Sequence, residues 1–77
     1  MALNDWHKPT ERVLSILELL ASTPEGITLS QISDKLSIPK GTLFPIIHTL
    51  NHHQFISLDK ITGKYQIALR TYLIGEA

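Results

Sequence analysis

Three histidines are the residues of this chain best equipped for chemistry, since imidazole binds metals and exchanges protons near neutral pH. His48 and His52 are four residues apart, a spacing that places two rings on one helix face, and His53 follows directly. A metal site needs further ligands, and no carboxylate or thiol stands nearby in the sequence. The chain has no cysteine, so disulfides and CxxC redox pairs are excluded as well. No metal and no cofactor is expected. Histidines near a helix C-terminus, or in contact with phosphate, are the better reading.

The second chemical group is cationic. Lys40-Gly41-Thr42 opens a candidate helix, and Lys60 and Lys64 bracket a candidate turn. Lysines placed this way neutralise phosphate, and a helix that begins with Lys and Thr can also reach base edges. The bland reading of Lys40 is a solvated lysine in a first helical turn. Total charge is zero, with seven cations and seven carboxylates. The distribution is uneven: residues 1–39 carry three cations against five carboxylates, and residues 40–77 four against two. An anionic partner is therefore expected to meet the C-terminal half. No nucleophile motif or phosphate-cradling glycine loop is present, and 77 residues cannot wall a deep cleft. An enzyme is not expected.

These side chains need a scaffold, and 77 residues with 43% apolar content provide one small domain with one core. The apolar runs are far too short to span a membrane, and the first residues lack the basic and apolar regions of a signal peptide. A cytoplasmic protein without membrane contact is expected.

Residues 1–9 read as a flexible arm. Thr10 is a candidate N-cap, and Val13, Ile16, Leu17 and Leu20 repeat at helical spacing, which predicts a first helix over 10–22. Thr23-Pro24-Glu25-Gly26 ends it with turn chemistry. Thr28-Leu29-Ser30-Gln31 fits a capping box and opens a helix over 29–36 that buries Leu29, Ile32 and Leu36. Ser37-Ile38-Pro39 leaves room only for a turn, with Pro39 suited to the first position of a third helix. That helix reaches about residue 52, with Leu43, Ile46, Ile47 and Leu50 as its core stripe. Two helices joined by so short a turn cannot lie antiparallel. Residues 55–58 and 65–67 then read as strands of a β-hairpin, joined by a turn containing Gly63. Leu69, Tyr72 and Leu73 restart helical spacing, and Ile74 lies off their face, which implies a packing partner outside this domain.

Helix, helix, tight turn, helix, hairpin is the order of a winged helix-turn-helix, a mainly α fold with a small β-hairpin. Ser33 is the small residue needed where the second and third helices touch, and Ser37 stands where a turn glycine is common. Such a unit holds its third helix proud of the second, so that it can enter a major groove. The face opposite the core stripe is Gly41, Pro45, His48 and His52, flanked by Lys40, Thr42, Phe44 and Thr49.

Several stretches carry a family resemblance: Glu11-Arg12-Val13-Leu14-Ser15-Ile16-Leu17-Glu18-Leu19-Leu20, Leu29-Ser30-Gln31-Ile32, Ile38-Pro39-Lys40-Gly41-Thr42-Leu43 and Thr62-Gly63-Lys64-Tyr65. Together they resemble the DNA-binding domain of the IclR family of bacterial transcriptional regulators. Leu69-Arg70-Thr71-Tyr72-Leu73-Ile74-Gly75 is similar to the start of that family's linker helix. The resemblance implies a winged helix-turn-helix that binds double-stranded DNA. It also implies a homodimer formed through the first helix, the N-terminal arm (where Trp6 is a packing or dimer contact) and the linker helix. In full-length members a C-terminal domain takes a small-molecule effector. No counterpart of it is expected within residues 1–77, of which 69–77 would begin the linker.

By this resemblance Lys40 is a phosphate or guanine contact and Thr42 a hydroxyl or methyl contact. Gly41 stands where Ser is common, and Phe44 and Pro45 stand where polar or basic residues are usual, which removes donors from the reading face. Phe44 either touches thymine methyl groups or tucks back against the domain. Pro45 has no amide for the Gly41 carbonyl, so the helix either bends there or begins late, near Thr42. The expected DNA contacts are thus Lys40, Gly41, Thr42, Phe44, Pro45, His48, Lys60 and Lys64. The competing reading is a winged-helix module that docks protein on its Phe44/Pro45 surface.

Overall fold

The computed structural model describes residues 5–76. Its elements are α1 (Lys8–Ala21), β1 (Ile27–Thr28), α2 (Leu29–Leu36), α3 (Lys40–His52), β2 (Ile56–Asp59), β3 (Lys64–Ile67) and α4 (Leu69–Glu76). The helices therefore follow the expected order. The expected hairpin forms as β2 and β3, and β1 adds a third strand to it, so that the antiparallel sheet runs in the order β1-β3-β2.

The start of α1 is corrected. Lys8 and Pro9 belong to the helix, whose N-cap is His7 and not Thr10. Proline is at home in a first turn because its missing N–H falls among donors that have no intrahelical partner anyway. The Glu11 amide donates to the His7 carbonyl at 3.0 Å. The Thr10 hydroxyl shares a hydrogen bond with His7 Nδ1 at 2.7 Å, so it is not free to cap. Of the arm expected over residues 1–9, the first four lie outside the described residues.

One core joins these elements: Ile16 and Leu20 from α1, Ile27 from β1, Ile32 from α2, Ile38 from the turn, Leu43 and Ile47 from α3, Ile56 from β2 and Tyr65 from β3. Of the three residues expected to be buried by α2, Ile32 is fully buried, while Leu29 and Leu36 pack at the core's edge. The strand register explains the sheet's share. Ile27 and Leu58 both pair with Tyr65, and Ile56 pairs with Ile67, so every second side chain meets the helices.

Gly26 permits the third strand. Its φ is +92°, and its amide donates to the Thr23 carbonyl at 2.9 Å to close the turn after α1. A Cβ there would lie 2.9 Å from the Lys64 Cβ on β3. Glycine is required both by the left-handed backbone and by the close approach of the two strands.

α3 runs unbroken from Lys40 to His52 with Pro45 inside it. A late start near Thr42 is thereby ruled out. Pro39 is the N-cap, not the first helical residue as expected: its ψ of 142° is extended, and its carbonyl accepts from Thr42 N at 3.0 Å and Leu43 N at 2.9 Å. Pro45 lies beyond the first turn and cannot donate to the Gly41 carbonyl. The Thr49 hydroxyl donates to the Pro45 carbonyl at 2.7 Å, a back-bond that often accompanies bending.

Two stability predictions follow from these backbone constraints. Gly26→Ala should cost about 2 kcal/mol, read as a fall in Tm of roughly 10 °C, because it forces both an unfavourable φ and a clash. Pro45→Ala should raise stability by about 1–2 kcal/mol, because it restores one helical amide at an exposed position and opens no cavity. Thermal melts of the two variants check both signs.

Candidate nucleic-acid interface

The turn between α2 and α3 sets the direction in which α3 points. Thr28 caps α2 as the spacing predicts: Gln31 N donates to the Thr28 hydroxyl at 3.2 Å, and Thr28 N donates to Gln31 Oε1 at 3.0 Å. At the other end Ser37 adopts a left-handed conformation, with φ 55° and ψ 40°, the geometry that makes glycine common at such positions. The Ser33 hydroxyl donates to the Ile38 carbonyl at 2.6 Å, and Ile38 N donates back to the Ser33 carbonyl at 3.2 Å. Ile38 itself is buried between the helices. Ser33 is thus more than a small residue at a crossing; it ties the turn shut.

From that anchor α3 buries Leu43 and Ile47 completely and packs Ile46 and Leu50 at the core's edge. Its outer face is open. Lys40, Gly41, Phe44, Pro45, His48, Thr49 and His52 are all exposed, and Thr42 is half-buried. Six of the expected contact residues therefore lie along one helix, as the periodicity requires. Phe44 does not tuck into the core; it is 49% exposed and stacks on His48, with ring centroids 5.6 Å apart and planes 22° from parallel. His52 and His53 meet edge to face at 5.0 Å, away from that stack. Among the described residues no group of three or more His, Asp or Glu side chains converges to hold a metal ion.

The wing lysines divide. Lys60 sits in the exposed tip, whereas Lys64 is the first residue of β3, half-buried and paired with both Thr28 and Asp59. The reading of both as residues of the joining turn therefore holds only for Lys60. Because the neighbouring Tyr65 faces the core, alternation turns Lys64 to the sheet's outer side.

Asp59, the first residue of the Asp59–Lys64 stretch that reads as turn chemistry, builds the tip. Its Oδ1 accepts from Ile61 N at 2.9 Å and from Thr62 N at 3.3 Å, and its carbonyl accepts from Gly63 N at 2.7 Å. Those amides hold the Asp59 carboxyl below the ordinary value near 3.8, mainly through Ile61 and then Thr62. Ile61 is left at the apex, 96% exposed.

Among the described residues, the hydrogen bonds that join α4 to the rest of the domain come from its first turn and from Ala68 just before it. Arg70 donates to the His53 carbonyl at 3.2 Å and lies 5.3 Å from the centre of the Phe55 ring, while the Thr71 hydroxyl and Ala68 N both donate to the Phe55 carbonyl. Leu69, Tyr72, Leu73 and Ile74 are all more than half exposed, so the apolar surface expected at Ile74 extends back to Leu69.

The tip makes a pH prediction. A carboxyl with a depressed folded-state pKa supports its turn fully above the ordinary carboxylate value, and that support is lost as pH falls through the lower folded value. Proton NMR should show Asp59 titrating below about 3.8, with the Ile61 and Thr62 amide shifts moving together along the same curve. Asp59→Ala should abolish that shared transition and speed exchange of both amides at neutral pH.

Comparisons with known proteins agree with this geometry. The sequence profile of the IclR helix-turn-helix domain matches residues 9–60. The chain is 34% identical over 65 residues to the glycerol operon regulatory protein of Streptomyces coelicolor, a match spanning 84% of this chain and 26% of that protein. It is 30% identical over 60 residues to the HTH-type transcriptional regulator XynR of Escherichia coli K12, over 78% of this chain and 24% of the relative. It thus spans about a quarter of the length of the curated relatives it matches. In fold it is similar to the IclR transcriptional regulator of Alicyclobacillus acidocaldarius (TM-score 0.84, 22% identity, 92% of this chain and 29% of that one). The IclR family regulator of Brucella abortus is similar as well (TM-score 0.82, 23% identity, 96% and 28%). A winged helix-turn-helix with an open third helix, matched by this profile and these regulators, belongs to the IclR helix-turn-helix family, whose members bind DNA to regulate transcription and are not enzymes.

Proposed function

We propose that this chain reads duplex DNA sequence-specifically as the DNA-binding part of a cytoplasmic transcriptional regulator, with α3 in the major groove. The observation that carries the reading is the division of α3 into a fully buried Leu43/Ile47 side and an outer side left open from Lys40 to His52. A helix held this way is anchored yet free to enter a groove. Lys40 and Thr42 in the first turn, and His48 further along, offer hydrogen-bonding groups to bases and phosphates, and Gly41 lets the backbone come close. Lys60 at the wing tip and Lys64 beside it contribute phosphate contacts.

The same reading extends to assembly. Two exposed apolar surfaces support a homodimer: Trp6 with Leu14 on the α1 side, and Leu69, Tyr72, Leu73 and Ile74 on α4. Residues 69–77 then form the start of a linker toward an effector-binding domain, through which a small molecule would set DNA affinity. The protein-docking alternative draws no support from the regulators that this chain resembles.

Salt tests the proposal. Binding that displaces condensed cations weakens linearly in log affinity against log salt, whereas apolar protein docking does not. Lys60→Ala and Lys64→Ala should each shrink that slope by up to about one unit and weaken cognate and random duplexes alike. Lys60→Ala should have the larger effect, because Lys60 is the more exposed. Unchanged binding in the double variant would reduce the wing to a structural hairpin.

A further inference from the structure

Between Thr42 and His48 the side chains of α3 offer no hydrogen-bond donor or acceptor. Phe44 and Pro45 offer neither donor nor acceptor in their side chains, and Gly41, one turn earlier, has open space where a Cβ would stand. Phe44 takes no part in the core cluster. Its ring stacks on His48 one turn further on, which holds an apolar side chain outward that would otherwise be free to swing. The result is a short apolar strip of exposed side chains, Phe44 with Pro45, one turn beyond the cation of Lys40.

A major groove offers only one apolar group to such a strip. Guanine presents two acceptors, cytosine a donor, adenine one of each, and thymine an acceptor beside its 5-methyl group. Set against guanine, cytosine or adenine, Phe44 would strip water from polar edges and return nothing, which disfavours binding. Against thymine it buries a methyl. We propose that Phe44, positioned by His48 and extended by Pro45, reads thymine 5-methyl groups, so that the half-sites of this protein carry thymine opposite the middle of α3. This inference rests on the DNA-binding reading and names what that reading recognises.

The test alters the DNA before the protein. Duplexes are selected on the 77-residue chain from a fully randomised pool, and the enriched duplex is remade with deoxyuridine in place of thymidine at each position in turn. Deoxyuridine keeps every hydrogen-bonding group and loses only the methyl. The expected result is thymine at the same one or two positions of each half-site, with deoxyuridine there weakening wild-type binding roughly threefold to tenfold, the scale of one buried methyl. Phe44→Ala should bind the thymidine and deoxyuridine duplexes equally, with the salt slope unchanged. Phe44→Leu should restore part of the difference. A melting curve for each variant shows that it is folded, and the wild-type titrations depend on no variant.

Three results would overturn the proposal. Wild-type binding that is sequence-specific yet indifferent to deoxyuridine everywhere removes methyl reading and leaves DNA binding standing. A thymidine-to-deoxyuridine ratio that survives in Phe44→Ala assigns the methyl contact to another residue. No enriched duplex, with binding insensitive to salt, removes both this inference and the function beneath it.

Discussion

The clamp between Ser33 and Ile38 is the interaction on which the working surface depends. A helix can present a face to a partner only if its own anchor is rigid. Here that anchor is a pair of reciprocal hydrogen bonds, hydroxyl to carbonyl and amide to carbonyl, closed over a left-handed Ser37. The clamp buries Ile38, and Ile38 joins Ile32 and Leu43 to lock α2 against α3. Without it Pro39 would be merely a residue that cannot continue a helix. With it, the Pro39 carbonyl becomes the cap from which α3 starts.

Pro45 shows what the working surface costs. At several places local preference agrees with the fold: the capping box at Thr28, the turn at Gly26, the alternation of β3. At Pro45 local preference and fold disagree, since the residue removes one amide from the helix that the rest of the domain is built to display. Conflicts of this kind concentrate where a surface is selected for contact and not for stability. The neighbouring Phe44 fits the same pattern, an aromatic ring kept outside the core and propped on a histidine. Both residues trade hydrogen-bonding capacity for apolar surface, and both do so on the open side of α3.

The wing and the last helix are attached by different physics. The wing tip is organised by one carboxylate that gathers two amides, so its shape depends on charge in an otherwise exposed loop. α4 hangs on the carbonyls of His53 and Phe55 and on Arg70 over the Phe55 ring, all at the junction between α3 and β2.

Period and capping chemistry were enough to place the helices, because helical spacing and the Thr28/Gln31 box are local properties that sequence carries directly. Sequence likewise put the open face of α3 where it is, since burying Leu43 and Ile47 forces Gly41, Pro45 and His48 outward. What sequence did not supply were features made by distant residues meeting. Two residues are too few to show a period, so β1 became visible only through its pairing with β3. Gly26 showed its second role only when Lys64 came beside it. Pro9 and Pro39 sit at helix starts where a fixed φ suits both helix and extended chain, and only ψ, set by the neighbouring packing, decides which. Phe44 had two local outcomes of similar cost; the stack with His48 and a core already filled by Ile32, Leu43 and Ile47 left it facing out.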